Sequence, residues 1–174
     1  MPNLNPCNWS VVWSFCAIAT ILSFLYGWSV KQEILPFQPV MAFSEREWQF
    51  MKIWVNIALV LGIIIPAILW IVFWQESSLQ NFFSCYLVAV AIQLLSEIGL
   101  SRILCKSVVV IIGTLYTGFR LWQLWSGLDL ITNSQSWLSL FWLVCFFWIA
   151  NMTMLITIAI PSILPQAKPL ASKD

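Results

Sequence analysis

Five apolar runs of membrane-spanning length, each almost free of charge, constrain this chain more than any other feature. They fall at residues 9–30, 50–74, 79–100, 107–125 and 137–160. A bilayer core of about 30 Å takes about 20 apolar residues as helix, which each run supplies. Backbone N–H and C=O groups find no water in lipid, so every run has to be helical. The expected fold is therefore all-α: a single domain over residues 1–174, an integral membrane bundle of five transmembrane helices with a long first loop at 31–49 and a short tail at 161–174. Composition agrees, because 61% of residues are hydrophobic and 9% charged, where a soluble domain carries about 25% charged residues.

Placement of the few charges gives an orientation. With five spans, Lys31, Arg46 and Lys52, then Arg102 and Lys106, then Lys168 and Lys173 all fall on one side, while the N-terminal tail and the second and fourth loops hold no Lys or Arg. By the positive-inside rule the N-terminus is outside and the C-terminus inside, in the cytoplasm; a four-span arrangement would scatter the charges over both faces. Trp9, Trp13, Trp70, Trp74, Trp122, Trp125 and Trp137 gather towards the outer face and Trp28, Trp48 and Trp54 towards the inner one, where indole favours the interface. The apolar start at Trp9 lacks a basic leader and a small-residue cleavage site, which predicts a retained helix rather than a signal peptide.

Several function classes are excluded or disfavoured. A net charge of +1 with no block of like charge argues against nucleic acid as a partner. Histidine is absent, which removes imidazole-ligated haem, most catalytic zinc sites and triads built on a histidine base. The cysteines, Cys7, Cys16, Cys85, Cys105 and Cys145, are scattered without a C-x-x-C and are expected to be ordinary thiols. No nucleophile stands beside a base and no glycine-rich phosphate loop is present, so the chain is not expected to be an enzyme or to require a cofactor.

Chemistry is then sought at the polar positions inside the apolar runs, since ionisable groups in a bilayer tend to face a bundle interior or a cavity. Gln93 and Glu97 are four apart and share one helix face; Tyr116, Arg120 and Gln123 form a stripe on the next helix. Counted along a plain hairpin, Glu97 lies about 6 Å from the connecting turn and Arg120 about 20 Å, too far apart for a direct salt bridge. Glu97 is expected to find Arg102 or Lys106 or to stay protonated, and Arg120 to snorkel between Trp122 and Trp125. Asn151 either lines a site or bonds a neighbouring helix, and Trp142 and Trp148 either wall a pocket or pack between helices and lipid. Pro66, shortly after Gly62, is expected to kink its span. Pro36 and Pro39 stiffen the first loop, beside a Glu45-Arg46-Glu47 cluster, and make it either a lid or a solvated linker.

One further pattern joins these residues. Trp28, then Pro36-Phe-Gln-Pro39, Phe43 and Trp48, resembles in order and spacing the W-Y…K-P-x-x-x-P-P…F-G-P-V-W segment of the translocator protein family, the tryptophan-rich sensory proteins (TspO/MBR). Gln93-Leu-Leu-Ser-Glu97 is similar to that family's Q-L-x-L-N on the third helix, with Glu97 where Asn is usual. Leu140-Phe-Trp142 through Asn151 is similar to the P-Y-L-x-W…A-x-x-L-N of the fifth. The second Pro of the doublet, the P-Y pair and the F-G-P are missing here. The resemblance implies five helices with the first loop and C-terminus on one side. It also implies binding of tetrapyrroles such as a porphyrin or haem-type ligand, sterols or similar lipophiles in a cavity closed by that loop. Trp28, Phe43, Trp48, Gln93, Glu97, Trp142 and Asn151 are then the expected ligand contacts, and a homodimer is implied, although no small-xxx-small face argues for one. The function expected is that of a membrane receptor or carrier with a sensory or regulatory role. Two alternatives are a structural or assembly subunit of a larger membrane complex and a proton-linked transporter using Glu97.

Overall fold

A computed structural model describes residues 8–131 and 135–165. Among the described residues it is helical without strands, and five helices are long and apolar enough to cross a membrane. These are α1 (Trp9–Lys31), α2 (Glu45–Val72), α3 (Ser77–Ile103), α4 (Val108–Ile131) and α5, which begins as Gln135–Met154 and ends at Ile163. The chain is thus an all-α multi-pass membrane protein.

Several boundaries differ from the expected ones, most by two or three residues. The second helix begins at Glu45 because Ser44 and Glu47 form a reciprocal cap: the Ser44 Oγ accepts from the Glu47 N–H, and the Glu47 carboxylate accepts from the Ser44 N–H at 2.8 Å. The fourth continues to Ile131, past residue 125. The fifth runs through Pro161 to Ile163 rather than stopping before the proline.

How α5 passes a proline is also how α2 does. In each, one widened π-type turn precedes it, Val60–Ile64 before Pro66 and Leu155–Ala159 before Pro161. Proline lacks the N–H that would bond four residues back, and the wider turn makes room for its ring. The Gly62 carbonyl that Pro66 leaves unbonded accepts from the Tyr86 hydroxyl of α3 at 3.0 Å. The kink expected at Pro66 thus takes the form of a π turn with its carbonyl satisfied by a neighbouring helix.

In the bundle, α4 is central and packs against α1, α3 and α5. Helix α1 lays a stripe of mostly small residues, Val12, Cys16, Ala19, Ser23, Gly27 and Val30, on α3 and α4. A Cβ on Gly27 would come within 2.8 Å of Leu104, so the close approach needs glycine. The two parts of α2 behave differently. Beyond the π turn, Ile65–Val72 packs on α3 and buries Pro66 and Leu69. Before it, Glu45–Leu59 buries no residue. Its standing away from α3 leaves a hollow inside the bundle.

One end of the bundle carries the connections at 32–44 and 104–107. There Gln38 N–H donates to the Ile163 carbonyl (2.9 Å), Ala42 N–H to that of Ser162 (3.1 Å) and Ser107 N–H to that of Pro39 (3.1 Å), so the first loop is tied across the ends of α4 and α5. Lys31 Nζ donates to the Ile103 carbonyl at 2.9 Å, binding the end of α1 to that of α3.

Candidate functional site, a cavity walled by four helices

The hollow has a volume of about 640 Å³ and lies between α2, α3, α4 and α5. That falls within the range of about 300–1,000 Å³ typical of small-molecule sites. Met41 and Phe43 of the first loop close it at the loop end. Val55, Asn56 and Leu59 of α2 and Leu94 of α3 line it and are also exposed, so its open side faces laterally between α2 and α3. Most of the wall is aliphatic and aromatic. The polar groups are few and ordered.

The first polar group is a relay between α3 and α4. Gln93 Nε2 donates to Glu97 Oε1 at 2.5 Å, and Arg120 Nη2 donates to Gln93 Oε1. The hairpin count placed Arg120 and Glu97 too far apart to pair, and the link between them runs through Gln93, one turn nearer on α3. Arg120 does not snorkel: it is 3% exposed and turned into the bundle. Its guanidinium lies 4.2 Å from the ring centre of Trp148 and 5.8 Å from that of Tyr86. A cation held over indole recovers part of the hydration it gives up, which an outward rotamer in lipid could not supply. The partner of Glu97 is likewise Gln93 rather than Arg102 or Lys106.

The second group joins α2, α5 and α4. Trp54 Nε1–H donates to Asn151 Oδ1 at 2.8 Å, and Asn151 Nδ2–H to Thr117 Oγ1 at 2.9 Å. Phe147 stacks on Trp54 at 5.4 Å. This indole fastens the loosely held part of α2 across the cavity, with Met51 and Ala58 of the same segment packed on the core. A third link sits at the far end, where Trp148 Nε1–H donates to the Tyr86 hydroxyl at 2.8 Å while that hydroxyl donates to Gly62. Gly62 lies directly on the Trp148 ring, with a Cβ there only 2.6 Å from Cζ2.

Of the residues expected at a site, the structure brings Phe43, Trp48, Gln93, Glu97 and Asn151 to this one cavity. Trp48 is 50% exposed at its mouth, 6.5 Å from Phe43 with Lys52 over its ring at 5.5 Å. Trp28 and Trp142 are elsewhere. Trp28 is 48% exposed and stacks on Phe24; Trp142 stacks on Phe146 and packs against the aromatic core formed by Phe82, Phe83 and Phe141. Tyr116 faces α1, where Phe15 meets its ring edge-on at 5.3 Å. Gln123 is wholly buried, and neither of its amide atoms has a hydrogen-bond partner. Cys16, Cys85, Cys105 and Cys145 are buried; Cys7 lies outside the described residues.

Sequence alone does not join Trp54, Tyr86, Trp148 and Gly62 as a set, although Trp148 is a pocket-wall candidate beside Trp142. One signal was available: Pro66 frees the carbonyl at Gly62, so a hydroxyl on a neighbouring helix was to be sought. Comparison with protein-family models, with curated proteins and with solved structures finds no match to the chain.

Proposed function

We propose that this chain binds a hydrophobic small molecule, of the tetrapyrrole, sterol or similar lipophilic class, in the cavity between α2, α3, α4 and α5, and acts as a sensor, regulator or carrier rather than by fast turnover. The observation that carries the proposal is the cavity itself: about 640 Å³, apolar on most sides, with an indole at its mouth and another at its far end. A flat apolar guest gains by stacking on such rings, while a few fixed polar groups orient it. Lateral opening between α2 and α3 suits a guest dissolved in the bilayer. The resemblance to the TspO/MBR family and the placement of the N-terminus outside belong to the same proposal. They are supported by the position of Phe43 and Trp48 at the loop end of the cavity and by Lys31, Arg46, Arg102 and Lys106 sharing one end of the bundle.

Titration of the purified protein with protoporphyrin, read from ligand absorbance and tryptophan quenching, tests it. Saturable binding is expected, weakened at least tenfold by Trp48→Ala with Trp148→Ala and unchanged by Trp28→Ala with Trp142→Ala. If both double variants bind like the wild type, the cavity is not the site.

The uncovered flank of α2 favours a second role, assembly into a larger membrane complex. Ile53 and Ile57, four apart on one face away from the cavity-lining Val55 and Leu59, are exposed on a segment that buries nothing. Stoichiometric co-purification with a partner, together with no saturable ligand binding, would favour it over the first.

A further inference from the structure

Resting on the reading of the cavity as a lipophile site, we infer that its guest carries a carboxylate, or an equivalent anionic group, which Arg120 receives at the far end. Cavity-lining positions on α4 run from Val109 to Arg120, about 16 Å at 1.5 Å per residue. Met41 and Phe43 stand at one end of that length and Arg120 at the other. The space is therefore elongated and mostly apolar, with Lys52 and Trp48 towards the loop end and Arg120, beside Gln93 and Glu97, at the head, a form that suits an amphiphile whose anionic group lies at the head.

Arg120 is placed to hold an anion and is incompletely used. It is 3% exposed and lines the cavity, yet its Nε–H has no hydrogen-bond partner. Buried donors are almost always paired, and a guanidinium in a membrane interior is costly unless its charge is met. Glu97 meets that charge only at second hand, because Gln93 occupies the position between them. Trp148 lies over one face of the guanidinium at 4.2 Å, and because guanidinium N–H groups lie in its plane, an acceptor binds edge-on. A carboxylate presents two oxygens to such an edge, and its charge makes the bonds stronger than those of a neutral acceptor. A guest whose only polar group is a hydroxyl would satisfy a single N–H and leave the charge unmet.

Two sources can supply this chemistry, a fatty acid from the bilayer or a carboxylate-bearing macrocycle, and paired probes separate them. Dissociation constants are measured on the full chain in nanodiscs for oleate against methyl oleate, and for protoporphyrin against its dimethyl ester. The acid is expected to bind at least tenfold more tightly than its ester in one pair, and that pair identifies the source. In Arg120→Gln the preference is expected to disappear while the affinity for the ester stays within about twofold of wild type. Equal binding of acid and ester in both pairs overturns the assignment to Arg120, and so does a preference that survives in Arg120→Gln. If no member of either pair binds, the cavity reading falls and this inference with it. Equal binding of acid and ester to the wild type overturns the inference without any variant, even if Arg120→Gln does not fold.

Discussion

Replacing Gly62 by alanine tests the joint at which α2, α3 and α5 meet. The new Cβ would lie 2.6 Å from Cζ2 and 3.2 Å from Cη2 of Trp148, where carbon atoms settle at about 3.5–4.0 Å. Roughly 1 Å of separation has to be found. The indole cannot easily supply it, being bonded to Tyr86 at 2.8 Å, packed on Phe147 at 5.2 Å and faced by the Arg120 guanidinium at 4.2 Å. Helix α2 must yield instead, straining the Tyr86 bond to the Gly62 carbonyl. Overpacking of this kind costs about 1–3 kcal/mol and a weakened hydrogen bond about 1 more, against which alanine returns about 1 kcal/mol of helix propensity. The net expectation is a loss of about 1–3 kcal/mol, lowering the melting temperature in detergent by several degrees, with weaker ligand binding because Trp148 is displaced. Gly99 provides the control: nothing lies within 4 Å of a Cβ there, so Gly99→Ala is expected to be neutral or stabilising by up to about 1 kcal/mol. If both variants melt alike, the close seating of the π turn on Trp148 is wrong.

Three smaller perturbations probe other parts of the account. Gln123→Leu removes a buried amide with no partner and is expected to raise stability by about 1–3 kcal/mol; a lower melting temperature would show that the amide is satisfied. Asn151→Leu leaves the Trp54 and Thr117 partners unbonded, and is expected to cost about 1–3 kcal/mol and to speed hydrogen exchange in the Glu45–Leu59 part of α2; unchanged exchange there would count against Trp54 as its fastening. Ser44→Ala removes one half of the reciprocal cap and is expected to cost about 1 kcal/mol, with faster exchange confined to the first turn of α2.

The spans were legible in the sequence because length and hydropathy suffice to identify a helix that lipid surrounds. Their faces were not. In a soluble helix a polar flank shows which side points inward, but here lipid and protein interior are equally apolar, so nothing distinguished Trp142 from Trp148 on the same helix. The small-residue stripe of α1, from Cys16 through Gly27, is visible in its spacing, but spacing alone does not say which helices it meets. Ser44 and Glu47 were likewise a visible helix start. Arg120 shows a subtler limit. Depth counted along the chain correctly separated it from Glu97, but the direction of a long side chain depends on what the neighbouring helices offer, and Gln93 and Trp148 offered more than the outer interface. Tyr86 bonding to the Gly62 carbonyl depends on the register between α2 and α3, which no local pattern encodes.

The central claim is that a guest occupies the space beside α4, and filling that space tests it most directly. Gly113 lines the cavity, and a Cβ there makes only ordinary contact with Leu155 at 3.6 Å, so Gly113→Phe places a ring in the space about 10 Å along α4 from Arg120. Titrated with protoporphyrin and oleate beside the wild type, this variant is expected to fold, to melt within a few degrees of it, and to lose binding by at least tenfold. A folded Gly113→Phe protein that binds both as tightly as the wild type would contradict the account.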